Sequence, residues 1–551
     1  MSNKPFRFRL SVCVDFLDEL LDRAFTEKDI NALFRAFKSW GMTRIYWVYT
    51  HRHDNGYLSA LPWAGIAENY NQTYDAIGEL LPAVVKIARD LDLEIYAVYK
   101  PFDLAHNYSF PFGSLGASKF GKGISAIGGD VYSGCRDLGK LADFRSACRW
   151  DDIPADINNR RIQRIRLVSC DASDTRITKD NFSISVSSDN GSYTVYPQSF
   201  SFYNTVENGF RILTIDGLNI ASPFLALHTT FKDNFGTFSN RLDKLVELYD
   251  EQGRQLPFTY GLYARADRFD EASHAPPLWD MYPMEGYDFN IPSSKVMVPD
   301  GSGRHILDNI RGYLALAKGK ERYVVGTLSP AYDATHDLWL RHIQECLDAG
   351  VDGVDIRVEN HNRALFWEEY GFEAPVVEAY RRLYGKDKEP INFDREKQAS
   401  ILANAYTDFY RKASNLIRGS GKRVQLHIGP GTMGNLRALK WDWKTWLQES
   451  LADEITLKEA DPGGSPLFDR ISQIGNLPPI HTCPWLCTAP PDRHWWKEFS
   501  QLLERAVKDG REAGFILYES AYFVRVDDGG RISLLKPAAI ESLRRVAKII
   551  V

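Results

Sequence analysis

Short β-like runs alternate with amphipathic helical stretches at both ends of this chain, and that rhythm limits its fold more than any other feature. "FRLSVCVDF", "RIYWVYTH" and "EIYAVYKPFD" are separated by helical segments near the N-terminus. One of these, "TEKDINALFRAFKSWG", spaces Ile30, Leu33, Phe34 and Phe37 at helical intervals, opens on Thr26 as N-cap and stops at Gly41. The other runs from about Tyr74 to Asp90 and is expected to be disturbed at Pro82. The rhythm returns near residue 335. "ATHDLWLRHIQECLDAG" leads into the strand "VDGVDIRVE", and a helix over about 394–418 precedes "KRVQLHIGPG". "DEITLKEADPGG", "PPIHTCPW" and "GFILYESAYF" follow, with helices near 494–511 and 537–549. Three strands before the interruption and five after it make eight β/α units, which predicts a closed (β/α)8 TIM barrel of the α/β class.

Between the two halves, the pattern changes to two-residue alternation without helices. "NFSISVSS", "YTVY", "FRILTID" and "KLVELYDEQGRQL", the last turning at Glu251–Gly253, predict five or six strands between about 160 and 260. The expected organisation is barrel strands one to three in 1–115 and an insertion over 116–330 containing an antiparallel β-sandwich-like domain. Barrel strands four to eight then occupy 331–551.

The fourth strand is two-faced. Val354, Ile356 and Val358 share one face, while Asp355, Arg357 and Glu359 share the other. In a barrel, the apolar face packs beneath the helices and the charged face points inward, toward the C-terminal mouth where active sites form. The same rule turns Gln425 and His427 inward and hides Val424, Leu426 and Ile428; it also turns Ser11, Cys13 and Asp15 inward. Asp355 and Arg357 also fit an internal ion pair holding the barrel.

Glu359 ends the fourth strand, Glu519 the eighth, Glu459 the sixth beside Lys458, and Asp15 the first. Glycoside hydrolysis needs two carboxyl groups across the scissile bond, and these four are the candidates. For Glu519 and Glu459 the alternative role is that of a capping or loop-fixing carboxylate. Trp47, Tyr49, His51 and His53 follow the second strand, and Tyr99 and Lys100 the third. His361 lies in the loop after the fourth, His481 and Trp485 follow the seventh, and Tyr518 and Tyr522 surround the eighth. Aromatic faces stack on pyranose rings and polar groups among them bind hydroxyls, although each aromatic taken singly also suits ordinary packing.

Composition excludes several other classes. The 551 residues are 44% hydrophobic and 25% charged, and 67 basic against 72 acidic residues leave a net charge of −5. Nucleic acid is therefore not an expected partner. The N-terminal "MSNKPFRFRLSVCVDF" contains no signal-like apolar run, and nowhere do about 18 apolar residues occur in succession, so a cytoplasmic protein without a membrane segment is expected. Seven cysteines, of which only Cys483 and Cys487 lie close together, read as reduced thiols. No HExxH, P-loop or G-x-G-x-x-G motif is present, so neither a metal nor a nucleotide cofactor is expected.

The run "YVVGTLSPAYDATHDLWLRHIQECLDAGVDGVDIRVENHN" resembles the central segment of barrel glycoside hydrolases, especially the bacterial family-10-like glycosyl hydrolase group and more distantly the α-amylases. The resemblance covers about 40 residues and implies a barrel acting on carbohydrate. The nucleophilic aspartate of the α-amylase pattern falls on Arg357, and barrels with glutamates ending strands four and seven read Asn-Glu where this chain reads Glu359-Asn360. The expected function is a glycoside hydrolase acting on an oligo- or polysaccharide. Glu359 is expected as acid/base and Glu519 as nucleophile or base, with Asp355, Arg357 and His427 tuning charge or binding hydroxyls. Arg357 favours ionised Glu359, so those roles are exchangeable. A polysaccharide lyase or other uronate-acting enzyme is a second reading, in which Arg357, Lys100 and the histidines serve a substrate carboxylate. In a third, the chain is a non-catalytic glycan-binding protein whose inserted β-domain binds carbohydrate or forms a homo-oligomer.

Overall fold

The computed structural model describes residues 8–20, 23–50, 64–101, 154–168, 172, 174–175, 177–188, 194–229, 245–260, 313–319, 330–357, 374–388, 392–429, 441–463, 465–487 and 489–550. Strands β1 (Arg9–Val14), β2 (Arg44–Val48) and β3 (Glu94–Tyr99) precede the insertion. The insertion contributes β4 (Ile162–Val168), β5 (Phe182–Ser187), β6 (Thr194–Val195), β7 (Ser201–Glu207), β8 (Phe210–Ile220), β9 (Phe224–Thr229), β10 (Leu245–Tyr249), β11 (Gln255–Leu256), β12 (Phe258–Tyr260) and β13 (Tyr313–Lys318). After it come β14 (Gly353–Arg357), β15 (Arg423–Ile428), β16 (Glu454–Lys458), β17 (Ile480–Cys483) and β18 (Gly514–Leu517), then a hairpin of β19 (Val524–Val526) and β20 (Ile532–Leu534). Strands β1 to β3 and β14 to β18 close into an eight-stranded parallel barrel in the order β1-β18-β17-β16-β15-β14-β3-β2. This is the TIM barrel with an extra antiparallel β-region that the alternation predicts.

Side-chain alternation sorts each barrel strand into two layers. Val12, Val14, Ile45, Ile95, Val354, Ile356, Val424, Leu426, Ile455, Leu457, Phe515 and Leu517 join the large apolar layer under the helices. Cys13, Tyr46, Tyr96, Val98, Cys483, Ile516 and Tyr518 form a separate cluster within the barrel. Cys13, Cys346, Cys483 and Cys487 are buried and form no disulfide among the described residues.

Helix ends follow local chemistry. Thr26 and Asp29 form a capping box at the start of Glu27–Ser39. Asp394, Ser465 and Asp492 each accept backbone N–H bonds at the start of their helices. The helix expected over 74–90 is two helices, Ala64–Ile77 and Leu80–Asp90. The break falls at Gly78, whose φ of +83° no helix accommodates, while Pro82 sits in the first turn of the second helix, where its missing N–H costs nothing.

Two glycines explain "GVDG". Gly350 ends the helix Asp333–Asp348 with a φ of +90°, and a Cβ on Gly353 would lie 2.6 Å from the Tyr96 ring and 2.9 Å from the Arg423 carbonyl oxygen. Close strand packing, rather than catalysis, requires Gly353.

Charge at the foot of the barrel is fully paired. The fully buried Arg44 meets Glu454 at 2.5 Å and lies 3.9 Å from the Tyr96 ring centroid. Glu454 also accepts bonds from Tyr96 at 3.1 Å and Arg423 at 2.8 Å, and contacts His481 Nε2 at 2.9 Å. These donors hold Glu454 well below the usual carboxylate range against the opposing effect of its burial.

The insertion forms two five-stranded antiparallel sheets, β11-β10-β4-β8-β7 and β12-β13-β9-β5-β6. Ile165, Leu167, Leu213, Ile215 and Leu248 of the first share one core with Ile184, Leu225, Leu227 and Leu316 of the second. The opposite face of the second sheet, carrying Phe224, Ala226 and Ala317, belongs to the same apolar cluster as the barrel. Nine of these ten strands lie between residues 160 and 260, against the five or six expected there, and β13 lies beyond that stretch. β13 escapes the period-two reading because a strand covered on both faces has no polar side. Among the described residues, no helix is long and apolar enough to cross a membrane.

Candidate active site

Parallel strands of one barrel all end at the same rim, so the residues ending them converge there whatever their separation in sequence. Asp15 follows β1 and leads into the short helix Phe16–Glu19, which carries Asp18 and Glu19. Lys100 follows β3, Arg357 ends β14, His427 lies near the end of β15, and Lys458 ends β16. Trp485 follows β17 and forms an isolated bridge with Tyr518, which precedes Glu519 after β18.

One half of this rim is acidic. Lys100 Nζ donates to Asp15 Oδ2 at 2.8 Å, with both side chains nearly inaccessible. Glu519 is 1% exposed, and among the described residues no basic or hydroxyl side chain donates to its carboxylate oxygens; its hydrogen-bond partner is another carboxyl group, that of Asp18. Burial pushes Glu519 up to about 7, and the charge of Asp15 adds to the effect. Asp18 is raised well above the ordinary carboxylate range by burial and by the charges of Glu519 and Asp15. Burial raises Glu19 to about 8, partly offset by the hydrogen bond donated by Ser520 Oγ. A carboxyl group protonated near neutral pH and free of any ion pair can give its proton to a ligand.

The other half is cationic and aromatic. Arg357 Nη1 donates to the Tyr518 hydroxyl at 3.2 Å, and its guanidinium carbon lies 5.4 Å from that ring's centroid. Lys458 Nζ is 4.5 Å from the same centroid and 5.2 Å from that of Trp485. Burial lowers Lys458 to about 7, and the adjacent charge of Arg357 acts in the same direction. Trp485 is 41% exposed and tilts against Tyr518 at a centroid distance of 5.4 Å. Deeper in the barrel, Asp355 Oδ2 lies 3.1 Å from His427 Nδ1 and accepts the Thr456 hydroxyl at 3.0 Å. Burial depresses His427 to about 4, so the imidazole is neutral at pH 7.

The sequence-predicted residues therefore separate into groups. Asp15, Lys100, Asp355, Arg357, His427, Trp485, Tyr518 and Glu519 are brought to the rim or the barrel lumen. Trp47 and Tyr49, expected at the mouth, lie elsewhere. Trp47 stacks on Phe16 at 4.8 Å within the layer under the helices, and the Tyr49 hydroxyl donates to Glu345 of the Asp333–Asp348 helix. Tyr99 occupies the same layer, its hydroxyl 3.1 Å from His342 Nδ1. Counting residues to the end of a strand finds the rim, but parity decides the side, and Trp47, Tyr49 and Tyr99 have the outward parity of Ile45 and Ile95. His481 belongs to the Glu454 network at the foot. Glu459 is at the rim but exposed, in a left-handed conformation with φ of +58°. Glu359, His361, His51 and His53 lie outside the described residues.

Sequence reading missed Asp18 and Glu19 as members of the acidic half. The spacing Asp15-x-x-Asp18 was the available sign, since three residues make one short helical turn. Among the described residues, no group of three His, Cys, Asp or Glu side chains is arranged to hold a metal ion.

No protein-family model and no curated protein matches the sequence. Among solved structures, the catalytic domain of β-amylase from Paenibacillus polymyxa is similar over 98% of this chain and 99% of its own, at 9% identity and a TM-score of 0.35. A GH113 β-1,4-mannanase is similar over 39% of this chain and 79% of its own, at 11% identity and a TM-score of 0.21. The family 1 β-glucosidase from Thermotoga maritima is similar over 47% and 81%, at 11% identity and a TM-score of 0.21. Those three proteins are glycoside hydrolases by name. Likeness of this degree carries no argument about chemistry, and the reading of this site rests on its own side chains.

Proposed function

We propose that the chain is a glycoside hydrolase acting on an oligo- or polysaccharide at the C-terminal mouth of the barrel. The observation that carries this reading is Glu519, a buried carboxyl group whose hydrogen-bond partner is a second carboxyl group, Asp18, held near neutrality beside the ion-paired Asp15. Protonated Glu519 gives its proton to the glycosidic oxygen as the C–O bond breaks. In the same step a second carboxylate either attacks the anomeric carbon, forming a glycosyl-enzyme that water activated by Glu519 then cleaves, or takes a proton from the water that displaces the leaving group. Asp15 is the described candidate for that role and Glu359 the candidate from sequence. This reverses the preferred assignment from sequence, which made Glu519 the nucleophile or base; the raised affinity of Glu519 for its proton favours the donor. The exposed face of Trp485 supports a sugar-stacking platform. The resemblance of the segment ending at β14 to family-10-like hydrolases supports the same substrate class.

Lys458 favours a second reading. A lysine near neutrality is half unprotonated at pH 7, as a base for β-elimination from a uronate requires. A glycan panel assayed with the parent, Glu519→Gln and Glu359→Gln tests both. New reducing ends that vanish in Glu519→Gln support hydrolysis, and an ultraviolet-absorbing unsaturated product supports elimination. Full hydrolysis by Glu519→Gln would remove it as proton donor.

A further inference from the structure

Lys458 occupies a position that the hydrolytic reading leaves unused. Its side chain is 8% exposed, yet among the described residues no carboxylate lies within ion-pair distance. Its ammonium and the guanidinium of Arg357 instead approach the same Tyr518 ring, at 4.5 Å and 5.4 Å from the centroid. Lys458 has lost water without gaining a carboxylate among the described residues, a cost relieved when an anion enters beside it. The nearest carboxylates acting on Lys458, those of Glu459 and Glu519, influence it less than Arg357 does. Beside Lys458, Trp485 is 41% exposed, with its ring centroid 5.2 Å from the ammonium.

We infer that the substrate is an acidic sugar, a pyranose whose carboxylate or sulfate group is received by Lys458 and Arg357 while its ring stacks on Trp485. The inference rests on the carbohydrate reading of the same rim and narrows it to anionic glycans. Tyr518 touches both cations, its hydroxyl holding Arg357 at 3.2 Å and its ring lying 4.5 Å from the Lys458 ammonium. The acidic half, with Glu519 and Asp15, is left to the scissile bond. Charge is thus divided across the rim, anion recognition on one side and proton transfer on the other.

The test is binding to the full-length protein at pH 6, followed by tryptophan fluorescence and calorimetry. Glucuronate, galacturonate and glucose 6-sulfate are compared with the neutral glucuronamide and glucose. At least one acidic sugar is expected to bind ten or more times tighter than the neutral pair, and the carboxylate and sulfate arms decide which group is received. Lys458→Met should bring that ratio close to one and Lys458→Arg should restore part of it, with thermal melting confirming that both variants are folded. Equal binding of acidic and neutral sugars, or an undiminished ratio in Lys458→Met, overturns the inference. Assays of acidic and neutral oligosaccharides keep it separate from the hydrolytic reading. Hydrolysis of neutral chains without acid preference sinks the inference and leaves hydrolysis standing. Unsaturated ends released from uronate chains sink hydrolysis and leave the acidic substrate standing.

Discussion

Lys100 and Asp15 form a 2.8 Å ion pair at the barrel mouth, both side chains nearly inaccessible, and the charge of Asp15 is in turn what adds most to the burial of Glu519. One pair therefore sets the proton affinity of a third residue. Asp15→Asn removes a negative charge and leaves the Lys100 cation behind, and both changes favour ionised Glu519. The alkaline limb of the pH–rate profile should move down by about one unit or more. Leaving Lys100 buried without its partner should also cost roughly 3–5 kcal/mol of stability. Urea unfolding of Asp15→Asn and of Asp15→Asn/Lys100→Met checks the second point, since the double variant should recover much of the loss. An unmoved alkaline limb would show that Asp15 does not act on Glu519.

Glu519 makes a prediction about stability as well as rate. Its affinity for a proton is raised in the folded chain, from the ordinary 4.5 to about 7, so the folded state binds more protons than the unfolded state between those values. Stability contributed by this group is present below pH 4.5 and declines as pH rises to 7, by on the order of 3 kcal/mol. Glu519→Gln should flatten that decline and be more stable than the parent at pH 8, while kcat falls by about 10²–10⁴. Denaturant midpoints across pH 4–8 for the two proteins provide the measurement. A variant that is both less stable than the parent at pH 8 and fully active would contradict the buried carboxyl with raised proton affinity.

The fold was largely legible because a parallel barrel repeats one rule eight times. A run such as "RVQLHI" announces its two faces through Val424, Leu426 and Ile428 against Gln425 and His427, and the structure sorts them in that way. The site was only partly legible. Trp47 and Tyr49 were placed at the mouth by chemical type, whereas their parity sends them beneath the helices. Asp18 and Glu19 could not be read from strand parity, because they follow β1 on a helical turn whose direction depends on tertiary packing. Lys458 looked like one more charged residue ending a strand. Its weight comes from Arg357 and Trp485, which are 101 and 27 positions away in sequence. The strand β13 was missed because it is covered on both faces and so shows no alternation.

At the other end of the barrel, Glu454 gathers Arg44, Arg423, Tyr96 and His481, and its role is structural. Glu454→Gln keeps the shape but removes the charge that balances a fully buried arginine, at a cost of roughly 3–5 kcal/mol. Because the network lies across the barrel from the rim, KM and kcat of the surviving folded protein should stay within about twofold of the parent. Unfolding curves together with kinetics well below the melting temperature test this. A large change in KM with little loss of stability would place Glu454 in the substrate site instead.

Lys458 makes the opposite pH prediction to Glu519, and the opposition allows the two to be separated. Burial and Arg357 depress its affinity for a proton from 10.5 to about 7, so between those values the unfolded chain carries a proton that the folded chain lacks. Stability contributed by this group is full above pH 10.5 and falls as pH drops to 7, by on the order of 5 kcal/mol. Lys458→Met has no such proton to lose, so its stability relative to the parent should rise as pH falls from about 10 to 7 and level off below 7. Subtracting the two unfolding curves at each pH cancels the tyrosines and other lysines common to both proteins. In the presence of a bound acidic sugar, the parent's Lys458 should regain its proton near neutrality. Ligand binding at pH 7.5 should then take up as much as about three-quarters of a proton, seen as a buffer-dependent heat in calorimetry that is absent in Lys458→Met. A difference curve that is flat from pH 7 to 10 would mean that Lys458 is solvated and charged in the folded protein, and the cationic half of the site would lose its basis.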